Sequence, residues 1–373
     1  MTVATSATAS STPLPDAPAA AVPTRALISP AVDMLFIGGA SLVVLGLMNV
    51  MLLPSTPDNR LAWFVFNLSF VVNFPHFLAS YQLLYADFGG RVLREPRFFW
   101  AAVIVPVILV GVLAAGYLSR SVVVLGYLVN AMFFFVGWHY VKQIFGGITV
   151  SNAVQRFFYN GTERTVLKAN LFSLWAISFL IPNIGARSYL QDGIPYHSLD
   201  LPAWALQAAY VCLAVSGAGV VAVNLRKYVR EGRWASPTAS VCYLAIYAWY
   251  LPALSHPMFF HMIPFFHSLQ YLLFVYVFRR NKVEAHADVR TPAGRARQLT
   301  GIWGYLACAA LLGGTFMYYL PRYVDSLRLH DPAFVGPTFI YFSCLVFINV
   351  HHYFIDNVLW RGSNEEMRQY LFR

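Results

Sequence analysis

The chain has 373 residues, 58% hydrophobic and 11% charged, with a mean hydropathy of +0.56. Soluble domains carry about 25% charged residues, so the composition excludes a soluble globular protein and predicts an integral membrane protein. The net charge of +10 does not signal a nucleic-acid partner, because the basic residues sit in short loops between apolar runs rather than in a patch.

Residues 1–32 are rich in Ala, Ser, Thr and Pro and lack the basic start and apolar core of a secretory signal. They predict a disordered cytoplasmic tail. Ten apolar segments of spanning length follow: Met34–Leu53, Leu61–Tyr85, Phe98–Leu118, Ser121–Phe145, Val166–Ile184, Pro202–Leu225, Ser236–Leu254, Pro257–Phe278, Ile302–Leu320 and Pro337–Trp360. The expected fold is an all-α polytopic membrane domain of about ten transmembrane helices over residues 33–361. A cytoplasmic tail over 362–373 completes the chain. Cys212, Cys242, Cys308 and Cys344 all fall in apolar stretches without a CxxC pair and read as buried small hydrophobes.

Charge sets the orientation. With both termini inside, 20 of the 26 Lys and Arg residues lie on the inner side and five on the outer, with Lys142 inside a span. That bias satisfies the positive-inside rule. A multi-pass protein of a bacterial inner membrane, with both ends cytoplasmic, is expected.

Histidine is costly in hydrocarbon and marks function by default. Spans two, four, eight and ten carry it, in NFPHF (His76), GWHYVKQ (His139), HMIPFFHSLQY (His261, His267) and NVHHYFIDN (His351, His352), and all four run from outside to inside. At 1.5 Å per residue, His76, His139, His267 and His352 reach depths that agree within about 12 Å. They predict one polyhistidine metal site, in the inner half or near the midplane.

Around them lie polar residues at helical spacing. Asn73 and Ser80 flank His76, which follows the kinking Pro75. Gln143 is placed to orient an imidazole or a bound water, and Lys142 to reach the surface. Asp356 stands four residues after His352, as an orienting carboxylate or a second ligand. His261 joins the site only if Pro264 distorts its helix, and His351 points about 100° from His352. Both are further metal candidates. Phe133–Phe135, Phe259, Phe260, Phe265, Phe266 and Phe354 suit either an apolar tunnel or ordinary membrane packing.

Taken in order, Pro75-His76, His139, His267-Ser268 and His352 with Ile355-Asp356 resemble the motifs of the Brp/Blh family, membrane β-carotene dioxygenases that make retinal. The resemblance implies a multi-helix fold holding a non-haem Fe(II) on histidines, with O2 and a carotenoid as substrates. Three positions depart from that pattern. Tyr271 stands where the family has a second late histidine, His351 replaces a proline, and Ser80 replaces an acidic residue. Tyr271 is therefore a candidate for a ligand's place or for substrate contact. Imidazoles suit other transition metals as well as iron. A two-iron lipid hydroxylase or desaturase is disfavoured by the absence of HxxxH and HxxHH boxes. A metal or proton transporter is disfavoured because the polar groups form one band. A structural or assembly protein with incidental histidines is the third alternative.

Overall fold

The computed structural model describes residues 26–52, 60–191, 194–254, 257–331 and 334–373. Ten helices occupy the ten expected segments: α1 (30–52), α2 (Arg60–Gln82), α3 (Pro96–Leu118), α4 (Val122–Val154), α5 (Gly161–Leu180), α6 (Ala203–Glu231), α7 (Pro237–Ala253), α8 (Pro257–His286), α9 (Pro292–Ser326) and α10 (Phe339–Leu359). A final short helix, α11 (Glu365–Leu371), follows. Eight of them, all but α2 and α7, are long and apolar enough to cross a membrane when the described residues are considered. The protein is an all-α, multi-pass membrane protein.

Helix ends follow the local chemistry. Ser121, Asn160, Ser236 and Thr291 each accept an amide N–H three residues on, and Asn160 forms a full capping box with Glu163. Gly232, in the left-handed region at φ 64°, ends α6. The expected long inner loop after Phe278 is mostly helix instead. α8 continues to His286, and α9 begins at Pro292 under the Thr291 cap. Arg279 and Lys282 are accommodated there because Asp87 pairs with both, at 2.8 and 3.1 Å.

Packing separates central from peripheral helices. The apolar windows of α8 and α10 are 61% and 56% buried, against 11% for α6 and 17% for α9. α8 and α10 therefore form the core of the bundle and each contributes a histidine to it. Val107, Val211, Val215, Leu311 and Phe316 project outward, as side chains facing hydrocarbon must. Cys212 and Cys308 share that outward aspect, against the expectation of burial. They lie on the outer faces of the peripheral α6 and α9.

Neither expected tail boundary matches the packing. Leu27 is buried, its amide donates to Asp33 Oδ2 at 2.6 Å, and Arg280 Nη2 donates to its carbonyl. Residues 26–32 are thus part of the folded body, while residues 1–25 lie outside the described residues. At the other end, α11 packs Met367, Tyr370 and Leu371 inward, Asn281 Nδ2 donates to the Tyr370 carbonyl, and Lys282 pairs with Glu366 at 2.8 Å. A hairpin, β1 (Ser188–Gln191) and β2 (Ile194–His197), closes the α5–α6 connection where only a loop is expected from sequence. Asn130 of α4 holds it, donating to the His197 carbonyl at 2.8 Å.

Close helix approach carries one prediction. A Cβ on Gly313 of α9 would meet the Phe74 carbonyl oxygen of α2 at 2.7 Å. This is the small-residue contact that lets membrane helices pack backbone to backbone, two residues before His76. Gly313→Ala should lower stability by about 1–3 kcal/mol, the usual scale of overpacking. Gly304→Ala, which meets nothing within 4 Å, should be neutral or better in the same detergent melting experiment.

Candidate metal centre

His76 on α2, His139 on α4, His267 on α8 and His352 on α10 converge in the core, at 1, 7, 2 and 2% exposure. One ring nitrogen from each lies within 4.8 Å of all the others. The rings form a closed circuit in the order His76, His352, His139, His267, with neighbouring centroids 4.3, 4.8, 4.7 and 4.8 Å apart. The His267–His352 diagonal is 6.5 Å.

These spacings test whether an ion fits. With the metal about 2.1 Å from each nitrogen, imidazole centroids lie about 3.2 Å from it. Neighbours in a square plane are then about 4.6 Å apart and opposite rings about 6.5 Å, whereas a tetrahedron puts every pair about 5.3 Å apart. The observed circuit, with one diagonal at 6.5 Å, departs from a regular tetrahedron. No donor pair exceeds 4.8 Å, close to the spread that four nitrogens about 2.1 Å from one ion allow.

The hydrogen bonding fits the same picture. Six nitrogens in the cluster have no hydrogen-bond partner: His76 Nε2, His139 Nε2, and both nitrogens of His267 and His352. Buried polar groups are normally satisfied, and an ion at the centre would satisfy one nitrogen of each ring, four of these six. His76 has a defined tautomer. Ser268 donates its one proton to Asn73 Oδ1 at 2.7 Å, so its oxygen accepts from His76 Nδ1–H at 3.1 Å. That arrangement leaves the Nε2 lone pair aimed into the cluster.

Each histidine is followed four residues later by a polar side chain: Ser80, Gln143, Tyr271 and Asp356. Three of these form one network. Ser80 Oγ lies 2.7 Å from Tyr271 Oη, and Tyr271 donates to Asp356 Oδ1 at 3.0 Å. Trp360 Nε1 donates to the same phenol oxygen at 3.1 Å. Asp356 Oδ2 is left 3.3 Å from His352 Nε2 and 3.5 Å from His139 Nε2. A carboxylate in that place would add negative charge beside a bound cation.

The sequence candidates therefore divide. His76, His139, His267, His352 and Asp356 come together as expected, and Asp356 reaches His139 as well as its helical neighbour. Gln143 does not reach an imidazole ring; its Nε2 donates to the His267 carbonyl and to Gln270 Oε1. It fixes the α8 backbone instead. Tyr271 is outside the donor group, because its hydroxyl is committed to Ser80, Asp356 and Trp360.

His351 is not in the cluster. Its Nε2 donates to the Ala101 carbonyl at 2.9 Å, so Nδ1 accepts from Tyr81 Oη at 2.8 Å, and no lone pair remains. His261 is exposed and also outside it; α8 stays helical through Pro264, so no distortion brings it back to His267. Lys142 reaches the surface as expected, donating to Asn357 Oδ1 at 2.8 Å. Sequence reasoning missed Trp360, which lies beyond the last histidine motif and meets Tyr271 only because the end of α10 packs beside α8.

The four imidazoles border a cavity of about 10 Å³, lined also by Asn73, Phe77, Val136, Tyr140 and Asn349, which is room for one ion. Phe133, Phe134, Phe135 and Phe354 pack against Phe260, Trp175, Tyr353 and one another.

Comparison with known proteins finds no match: no family model, no curated protein and no solved structure is similar to this chain. The site itself carries the functional argument. Its four buried histidines and the apolar helices that hold them fit a membrane metalloprotein.

Proposed function

We propose that the protein is a mononuclear non-haem iron oxygenase that acts on a lipophilic substrate, with a carotenoid as the substrate class to test first. The observation that carries this reading is the convergence of four buried imidazoles whose inward nitrogens have no hydrogen-bond partner. Structural zinc sites commonly include thiolates, whereas this donor set is all imidazole and would suit a catalytic transition-metal ion.

His76, His139, His267 and His352 would hold the ion, and Fe(II) bound there would supply O2 activation. The protein's own groups do the rest. Ser268 fixes the His76 tautomer, Asp356 places a carboxylate oxygen beside His139 and His352, and Gln143 holds the backbone at His267. The surrounding apolar helices exclude water and restrict access to substrates that partition into lipid. Iron and a carotenoid are supported by the motif resemblance and by the donor chemistry, since neutral imidazole suits Fe(II) among other transition metals. A two-iron lipid hydroxylase would need a second ligand cluster, and the described residues hold one group of histidines able to bind an ion. The direct test is iron content together with carotenoid consumption.

The location we propose is a bacterial inner membrane, with both termini cytoplasmic. The charge bias supports it, as do ten helices, an even number. A reporter fused after Arg373 should be active only if it is of the kind that works in the cytoplasm. Activity of a periplasmic reporter at that position would refute the topology and reverse the direction of the histidine helices.

A further inference from the structure

Far from the histidines, a second group of polar residues surrounds a much larger space. The charge bias leaves only five of the 26 Lys and Arg residues on the outer side, and Arg322 and Arg328 are two of those five. Both line one open cavity of about 400 Å³, between the end of α9 and the start of α10, together with Ser326, His330 and Thr338. That volume is in the range of ligand sites.

The two cations are not spent on carboxylates. Arg322 Nη1 donates to Tyr318 Oη at 2.9 Å, and its guanidinium lies 5.1 and 5.2 Å from the Tyr318 and Tyr341 ring centroids. These contacts hold the side chain without neutralising it. Nearby Asp331 pairs with Arg120 at 2.7 Å, and among the described residues neither Arg322 nor Arg328 has an acidic partner. Asp325, in the cavity wall, is committed to backbone. Its two oxygens accept from the amides of Ile340 and Tyr341 at 2.8 and 2.9 Å, where the N-terminus of α10 favours negative charge.

His330 supplies an independent sign of a missing ligand. It is buried, yet its Nδ1 has no hydrogen-bond partner and stands 3.8 Å from Asp325 Oδ1, beyond bonding distance. Buried polar groups are normally satisfied, and an atom entering the cavity would satisfy this one. The neighbouring chain says where that ligand comes from. Tyr319 and Tyr323 are exposed, as tyrosines at the headgroup level of a membrane are. Leu312, Phe316 and Leu320 lie exposed along the same helix and offer acyl chains an apolar surface.

We propose that this cavity binds the phosphate group of an anionic phospholipid, with Arg322 and Arg328 as its counter-charges and His330 as a hydrogen-bonding partner. Guanidinium suits this task because its parallel N–H groups match two phosphate oxygens. On the topology above, the lipid belongs to the outer leaflet. The inference does not depend on the metal reading.

The test titrates full-length protein in detergent with phosphatidylglycerol or phosphatidylcholine and counts bound lipid by mass spectrometry of the intact protein. Wild type should bind its first phosphatidylglycerol more tightly than phosphatidylcholine. Arg322→Gln and Arg328→Asn should each weaken that first binding by about fivefold, the scale of one arginine at an anionic lipid surface. Asn tolerates the left-handed φ of 50° at position 328. Arg226→Gln, at an exposed cation near the end of α6, should bind as wild type. Millimolar inorganic phosphate, which lacks acyl chains, should not displace the lipid. Equal affinity for the two lipids in wild type, or unchanged affinity in both arginine variants, overturns the proposal. If Arg322→Gln does not fold once its ring contacts are lost, the exposed Arg328 decides through its own variant. Displacement by inorganic phosphate overturns the lipid as the source and assigns the cavity to free phosphate. Iron content should be the same in all these variants, so failure here leaves the metal centre standing.

Discussion

Full-length protein loaded with Fe(II) should retain close to one ion per chain after desalting, and His76→Ala, His139→Ala, His267→Ala or His352→Ala should each reduce the retained metal to background. The expectation follows from the shape of the cluster. All four imidazoles contribute one donor to a group within 4.8 Å, and neither Tyr271, which is fully hydrogen-bonded, nor His351, with both nitrogens occupied, can replace one. Removing a partner of a ligand typically costs about 10- to 100-fold in metal affinity, so Asp356→Asn should fall in that range. Losing a ligand itself should cost more.

The controls are equally specific. His351→Ala should keep its metal and lose stability, since it strips buried bonds from Tyr81 and the Ala101 carbonyl. Leaving such groups unsatisfied costs about 1–3 kcal/mol each. His261→Ala should keep its metal as well. Equal metal content in all six histidine variants would reduce the cluster to packing residues. The same ligand set predicts thermal stabilisation by metal, about 2.7 kcal/mol at a free concentration of 100 Kd, and its loss in each of the four ligand variants.

How much of this was legible beforehand depends on the range of the interaction concerned. The helices were, because length and apolarity are local properties: α1 to α10 lie where hydropathy puts ten spans. The four ligands were legible for a related reason. A histidine in hydrocarbon has few tolerable explanations, and the charge bias puts His76, His139, His267 and His352 in helices of the same direction at similar depth. Asp356 was visible through its i,i+4 relation to His352. Its contact with His139 was not, because that depends on how α4 and α10 cross.

The failures share that cause. Gln143 stands one turn from His139, yet its amide is taken by the α8 backbone at His267 and by Gln270. His351 looks no different from His352 in sequence. Only the approach of Tyr81 and Ala101 on neighbouring helices uses up its ring. The aromatic residues show the limit most clearly. Phe133–Phe135 and Phe354 have the composition of either a tunnel or a packed wall, and the structure resolves them into ring-on-ring packing. Residues 26–32 and α11 lie in terminal stretches whose composition reads as tails. Leu27, Met367 and Leu371, a few apolar residues each held by a specific cap or ion pair, suffice to dock them.

The second large effect concerns chemistry. Cells that accumulate β-carotene should lose colour and gain retinal when this protein is expressed, and His352→Ala should abolish both changes. The reaction needs no external reductant: one carbon–carbon double bond is cleaved, two aldehydes form, and both oxygen atoms of O2 enter the products. The protein must therefore supply a bound metal, a place for O2 beside it and a polyene held against that place. The first is supported by the four-histidine cluster. The third is the hardest requirement, because the cavity of about 10 Å³ bordered by the imidazoles accepts no polyene. A carotenoid must displace side chains around it, and Phe77, which lines the cavity with its ring 4.9 Å from His76 and 5.1 Å from His352, is the first candidate. Phe77→Ala should then raise the rate of carotenoid consumption without changing iron content, if opening this wall limits turnover. Retinal formation lost with His352 and raised by Phe77→Ala would establish the dioxygenase and its direction of substrate approach. Iron retained with β-carotene untouched in both the wild type and Phe77→Ala would discard the carotenoid, keep the metal centre, and direct the search to smaller lipids that reach the same site.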